Sequence, residues 1–195
     1  ATNLVTGIAN AMMDSVPLIA ITGNVASPLM GTDAFQEIDI LGLTLPIVKH
    51  SRIVRDAADI PAVFAEAFHV AQSGRPGPVL IDLPKDVQMA KVEVDWSEAL
   101  NLPGYTGKTP HAKPEQIKQV AAAIKLAKRP IIYAGGGIVT AEAADDLRTL
   151  VKKTGIPITM TVMGLGAFPA TDPLSLDMLG MHGSVYANFA VEEAD

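Results

Sequence analysis

Two rhythms of apolar positions alternate along this chain. Leu4, Ile8 and Met12 recur at helical spacing with Val5 and Ala11 beside them, which predicts a helix over residues 3–15. Pro17 ends it, and residues 17–22 form an apolar run of strand length. Residues 45–48 read as a second strand. Asp59, with Pro61 just inside, predicts the cap of a helix whose apolar face is Ile60, Val63, Phe64, Ala67, Phe68 and Ala71 and whose stop is Gly74. Residues 79–83 predict a third strand, closed by Pro84-Lys85-Asp86.

The rhythm lapses over residues 87–112, where Pro103, Gly104, Gly107 and Pro110 punctuate a stretch without periodicity. That predicts a linker between one domain at 1–86 and another at 113–195. From Pro114 the alternation resumes. Ile117, Val120, Ala121 and Ile124 predict a helix, with Lys125, Lys128 and Arg129 complementing its C-terminal dipole. A strand over 130–134, the triplet Gly135-Gly136-Gly137, a helix from Ala141 to about Lys153 capped by Thr140, and a strand over 157–162 follow. Helices alternating with short apolar strands predict the α/β class, parallel sheets in three-layer α/β/α domains.

Composition narrows the function classes. The chain has 195 residues, 49% apolar and 18% charged, and its mean hydropathy is +0.29. Apolar excess without a run of ~18 residues that could span a bilayer implies burial against other subunits or domains, and no membrane. Net charge is −6 with no basic cluster, which argues against nucleic acid. There is no cysteine, so thiolate chemistry is excluded and nothing contradicts a cytoplasmic setting. His50, His69, His111 and His182 are scattered, and no metal ligand set is predicted. The amphipathic start at Ala1 and the stop at Asp195 both read as cuts in a longer protein. The first 48 residues hold no Lys or Arg, and the first helix carries only Asp14 as a charge. Its stripe, Ile8 included, is therefore expected to face another subunit.

Candidate chemistry concentrates between the first two strands. Residues 33–39 hold Asp33, Glu37 and Asp39, the Gln36 amide and the Phe35 ring, an apolar wall beside a neutral hydrogen-bonding group, as small-ligand pockets require. Further on, Gly135-Gly136-Gly137, Met163-Gly164-Leu165-Gly166 and Leu179-Gly180-Met181-His182-Gly183 each follow a strand or join two elements. Together they predict one binding crevice at the carboxyl edge of a sheet.

Taken together, Ala1-Thr2-Asn3-Leu4, GTDAFQE at 31–37, SGRPGPVLIDLPKD at 73–86, the glycine triplet and MLGMHG at 178–183 resemble the acetolactate synthase (acetohydroxyacid synthase) family over essentially the whole chain. GTDAFQE with MLGMHG marks the biosynthetic, FAD-containing type; the other elements are shared more widely among thiamine-diphosphate enzymes. The resemblance implies the later part of a pyrimidine-binding domain followed by the first part of a central, Rossmann-like FAD-binding domain. It implies thiamine diphosphate, Mg2+ and FAD as cofactors, and 2-keto acids as substrates. Pyruvate would be decarboxylated and its two-carbon unit joined to pyruvate or 2-ketobutyrate, in branched-chain amino-acid synthesis. A homodimer or homotetramer with a small regulatory subunit is also implied.

Carried over by position, Gln36 and Asn3 would lie beside thiamine diphosphate, Phe35 at the substrate and Lys85 in the active site, with Arg75 contacting FAD. Gly135, Gly136, Gly137, Thr161, Val162, Met163, Leu179, Gly180, Met181 and His182 would line the flavin. Gly23-Asn24-Val25-Ala26 departs from the family's Gly-Gln-Val-Pro. The family's activating glutamate would precede Ala1 and its metal site follow Asp195, so the 195 residues alone are expected to be inactive. The rivals are an FAD-free acetolactate synthase, a glyoxylate carboligase, a pyruvate oxidase, and a non-catalytic nucleotide-binding or oligomerisation module.

Overall fold

The computed structural model describes residues 1–94, 102 and 111–195, which divide into two compact units, Ala1–Pro110 and His111–Asp195. Residues 95–101 and 103–110, most of the expected linker, lie outside the described residues.

In the first unit, β1 (Leu18–Asn24), β2 (His50–Ile53) and β3 (Pro78–Pro84) form a parallel sheet in the order β1-β3-β2. β3 is central, and Val79, Leu80 and Ile81 are buried on both faces, as a continuous apolar run requires. Side chains alternate across the sheet. Val79 and Ile81 pack with Val63, Ala67, Val70 and Ala71 of α3 (Ile60–Gln72). Leu80 and Ala20 pack on the other face with Ile8 of α1 (Val5–Asp14) and Ile40 of α2 (Ile40–Thr44). Helices on both faces of a parallel sheet make the α/β/α layering.

Several local expectations change. Residues 45–47 form a 3-10 turn and the strand comes later, at β2. Pro46 fixes a helical φ and lacks the N–H a ladder needs, whereas the more polar His50–Ile53 suits the sheet edge. Asp59 does hold the N-cap position of α3 but makes no side-chain capping bond; Asp56 caps the 3-10 turn Ala57–Asp59 before it, its carboxylate accepting from the Ala58 amide at 2.9 Å. Phe68 is 57% exposed and Val70 takes its expected place in the core. Gly74 does stop α3, at φ +58°. Ile8 is 2% exposed and lies under its own sheet, so it is core and not an intersubunit stripe; Met13 and Leu4 are the exposed apolar residues of that segment. A short α4 (Lys85–Met89) follows β3 and extends into the stretch expected as linker.

The second unit opens with α5 (Pro114–Leu126) and carries the parallel sheet β4-β5-β6: β4 (Ile132–Ala134), β5 (Ile158–Met160) and β6 (Ser175–Met178). Its core joins Ala134, Ile158 and Met160 to Leu147 and Val151 of α7 (Ala144–Thr154), with Phe168 from the connection to β6. The helix expected from Ala141 starts later, at Ala144. α6 (Gly137–Thr140) begins inside the glycine triplet, and the chain breaks at Glu142, φ +54°, before α7. The Thr140 hydroxyl donates back to the Gly136 carbonyl at 3.2 Å and caps nothing. α8 (Val185–Glu192) starts at Ser184, whose hydroxyl oxygen accepts from the Ala187 amide at 3.1 Å. No helix among the described residues is long and apolar enough to cross a membrane.

Candidate functional site

In the first sheet β2 ends at Ile53, in register with Asp82 of β3 as Thr22 of β1 is, and β1 and β3 run on to Asn24 and Pro84. Asp82 is fully buried. It accepts from Thr22 Oγ1 at 2.7 Å and Asn24 Nδ2 at 2.6 Å, while Asn24 Oδ1 accepts from the Val25 amide at 2.8 Å. A cavity of about 510 Å³ opens over this edge, lined by Thr2, Gly23, Asn24, Gln36, Glu37, Ile40 and Asp82 among others. A neighbouring cavity of about 220 Å³ shares Asn24, Glu37, Ile40 and Asp82 and reaches Met30 and Gly31. A crevice at the carboxyl ends of parallel strands is where an open α/β sheet takes its ligand.

The loop between β1 and α2 forms one wall. Gly31, Asp33 and Gln36 all have positive φ, at +82°, +55° and +65°. The Glu37 carboxylate accepts from the amides of Gly31 and of Ala34, the latter at 3.0 Å, and these two bonds hold its carboxyl below the ordinary carboxylate range. Asp39 accepts from the Gly42 amide at 2.9 Å and caps α2. Two of the three acids therefore serve backbone amides and are not a solvated charge cluster. After β3, Asp86 accepts from the Ser27 amide at 2.9 Å and its hydroxyl at 3.1 Å, tying the segment after β1 to α4 and lowering the acid's pKa.

Of the residues singled out in this unit, Gln36 lines the larger cavity. Phe35 precedes it with its ring 88% exposed. Asn3 lies in the 3-10 turn Thr2–Leu4 beside the cavity-lining Thr2. Lys85 is exposed as the first residue of α4, at the same edge of the sheet. Arg75 is elsewhere. It precedes β3, at the amino end of the strands, and caps the C-terminus of α1, Nε donating to Ser15 Oγ at 2.7 Å and Nη2 to the Met13 carbonyl at 2.9 Å. Glu37 lies within the stretch expected to build a pocket, whereas Asn24 and Asp82 are cavity residues that the sequence does not single out. The available signal was an acid inside the apolar run Val79-Leu80-Ile81-Asp82-Leu83, which strand periodicity absorbs without comment.

In the second unit the three glycine-bearing loops do follow adjacent parallel strands. Gly135-Gly136-Gly137 leaves β4, Thr161-Val162-Met163-Gly164 leaves β5, and Leu179-Gly180-Met181-His182 leaves β6. The first two are packed together: a Cβ at Gly164 would lie 2.6 Å from the Ala134 carbonyl oxygen, and one at Gly136 2.9 Å from Met163 Cβ. Thr161 closes its loop by accepting the Gly164 amide at 3.1 Å. Asn188 of α8 pins the third loop, accepting from the Gly180 amide at 2.8 Å and donating to its carbonyl at 3.1 Å. Val162, Met163 and Met181 are exposed, Met181 to 92%, and a Cβ at Gly137 or Gly180 would meet nothing within 4 Å. The outcome is an apolar rim with open space at its glycines. Among the described residues no three His, Asp or Glu side chains cluster as a metal ion would need.

Two family descriptions match the chain. Residues 1–43 match the "Thiamine pyrophosphate enzyme, N-terminal TPP binding domain" and residues 117–195 the "Thiamine pyrophosphate enzyme, central domain". Among similar proteins, acetolactate synthase 1, chloroplastic, of Nicotiana tabacum is 52% identical over all of this chain and 29% of its own length. The acetolactate synthase large subunit of Corynebacterium glutamicum is 52% identical over the whole chain and 31% of its length. Acetolactate synthase of Mycobacterium bovis is 50% identical with the same coverage. The chain thus spans about three tenths of the length of these relatives.

Proposed function

The chain belongs to the thiamine pyrophosphate enzyme family, and from that premise we propose that it is part of the catalytic subunit of an acetolactate synthase. What carries the reading is similarity at 50–53% identity along its entire length to plant and bacterial acetolactate synthases. The substrates are 2-keto acids, and the assembly is a homodimer or homotetramer with a regulatory subunit.

Thiamine diphosphate, when bound, supplies the electron sink that lets a 2-keto acid lose CO2 and its two-carbon remainder join a second 2-keto acid. Its fit to this chain rests on the polar cavity at the carboxyl edge of the first sheet, where Gln36, Asn24 and Thr2 offer neutral hydrogen-bonding groups. Gln36 would offer a neutral donor to the oxygen on which charge develops, Lys85 would be a cation for a substrate carboxylate, and the exposed Phe35 ring would be an apolar contact for a bound substrate. FAD fits the second unit: Val162, Met163 and Met181 offer an apolar face to a flat ring, and Gly137 and Gly180 leave it room. On this reading Mg2+ would be held by another part of the full-length enzyme. The 195 residues by themselves are inactive on this reading.

The test is incubation of the full-length protein with pyruvate in air, scoring acetolactate, oxygen uptake and flavin absorbance. Acetolactate without oxygen uptake is expected. Acetate formed with oxygen consumption would make it an oxidase, and no carboligation product would end the reading.

A further inference from the structure

We propose that Glu37 is a positioning residue, its carboxylate fixing the loop from Gly31 to Gln36 so that the Gln36 amide stands against the cavity. The inference rests on the reading of the chain as part of an acetolactate synthase, and names a residue that reading leaves without a role.

The Glu37 amide donates to the Ala34 carbonyl at 2.9 Å, closing a turn in which Phe35 and Gln36 are the central residues. Gln36 has φ +65° at the third position, where a type II turn favours Gly or Asn. A glutamine is held there against its backbone preference, as happens where surrounding structure over-determines a residue needed for its side chain. The surrounding structure is Glu37. Its carboxylate takes the amide at the start of the loop, Gly31, and the amide just before the turn, Ala34. No Lys or Arg occurs before Lys49 in sequence, and the bonds the acid makes are to these amides. Glu37 also borders both cavities, so the loop is tied down at the cavity wall itself. The lowered pKa keeps the carboxylate charged, hence accepting, throughout the neutral range.

Glu37→Ala removes both acceptors; Glu37→Gln leaves one oxygen and loses the other. In the full-length enzyme, Glu37→Ala is expected to lower kcat about tenfold or more while KM for pyruvate stays within about twofold, with Glu37→Gln intermediate. Hydrogen exchange of the peptide covering residues 31–36 should quicken in both variants at an unchanged melting temperature. Wild-type kcat in both variants, or a rise in KM alone, would overturn the assignment. If Glu37→Ala does not fold, Glu37→Gln decides by the same readouts. A wild-type enzyme making no acetolactate would sink the parent reading and this role with it; faster exchange in the variants would then report only a loop clamp.

Discussion

Thr22 and Asp82 sit opposite one another in the register of β1 and β3, the threonine hydroxyl donating to the carboxylate at 2.7 Å inside the first unit. With Asn24 on the other oxygen, the acid at the end of the central strand is satisfied by two neutral donors and seals the floor of the cavity. Asp82→Ala would leave the Thr22 hydroxyl and Asn24 amide without their acceptor, at a cost of roughly 3 kcal/mol. A lower thermal midpoint by circular dichroism is expected; an unaltered midpoint would mean that water replaces the carboxylate without loss.

Gln36 lends itself to a paired substitution. Gln36→Ala removes the amide and keeps the unfavourable φ, whereas Gln36→Gly removes the amide and relieves it. In the full-length enzyme both should cut turnover by about 100-fold, the roughly 3 kcal/mol of one preorganised hydrogen bond, with KM little moved. Only the glycine variant should gain stability. A change confined to KM would make the amide a substrate-positioning group.

Low pH should loosen the loop that Glu37 clamps at the cavity and the tie between Ser27 and α4. Glu37 and Asp86 both have pKa values depressed by hydrogen bonds from backbone amides, chiefly of Gly31 and of Ser27 respectively. Depression means the folded form binds its proton later than the unfolded chain. The stabilisation is thus fully present above the unfolded values of 4.5 and 3.8 and is lost as pH falls through the lower folded values. Hydrogen exchange at residues 27–34 should rise faster over that acid window than the pH-corrected rate for β3, and parallel behaviour of the two regions would contradict the assignment.

Arg75 separates two roles. As the cap of α1 it contributes about 1 kcal/mol through its bonds to Ser15 and Met13. Arg75→Met should lower the melting temperature with flavin content retained if the cap is its main work. Loss of flavin at an unchanged midpoint would restore the contact that family resemblance implies.

Asn188→Ala releases Gly180 from both of its side-chain bonds, at about 1–2 kcal/mol. The loop bearing Met181 and His182 should then hold flavin less firmly, seen as faster release from the full-length enzyme. Unchanged release would place the flavin's grip on the loops after β4 and β5.

Much of the framework was legible wherever burial is continuous. β1 and β3 are apolar runs with little else to be, and α1, α3 and α5 repeat at helical spacing. Legibility failed at edges and breaks. β2 is His-Ser-Arg-Ile and β6 Ser-Leu-Asp-Met, strands whose partners, more than their composition, make them strands. The break at Glu142 turns on one positive φ that no local residue type announces. In the site, Gln36 could be singled out by its chemistry and its setting. The use of Glu37 could not, because a carboxylate's partners here are amides brought round by a loop whose path is itself a consequence of those bonds. Asp82 was hidden for a related reason: its donors lie 58 and 60 residues away.

The turn around Phe35 and Gln36 also bears on how such a protein can diversify. Positions 33 and 36 are committed by their left-handed backbone, so β-branched replacements there are selected against on folding grounds alone. Phe35 carries no such constraint: its φ is not positive and its ring touches little of the fold. Volume and polarity at that single residue can drift almost free of any folding penalty, a freedom the two flanking left-handed positions lack.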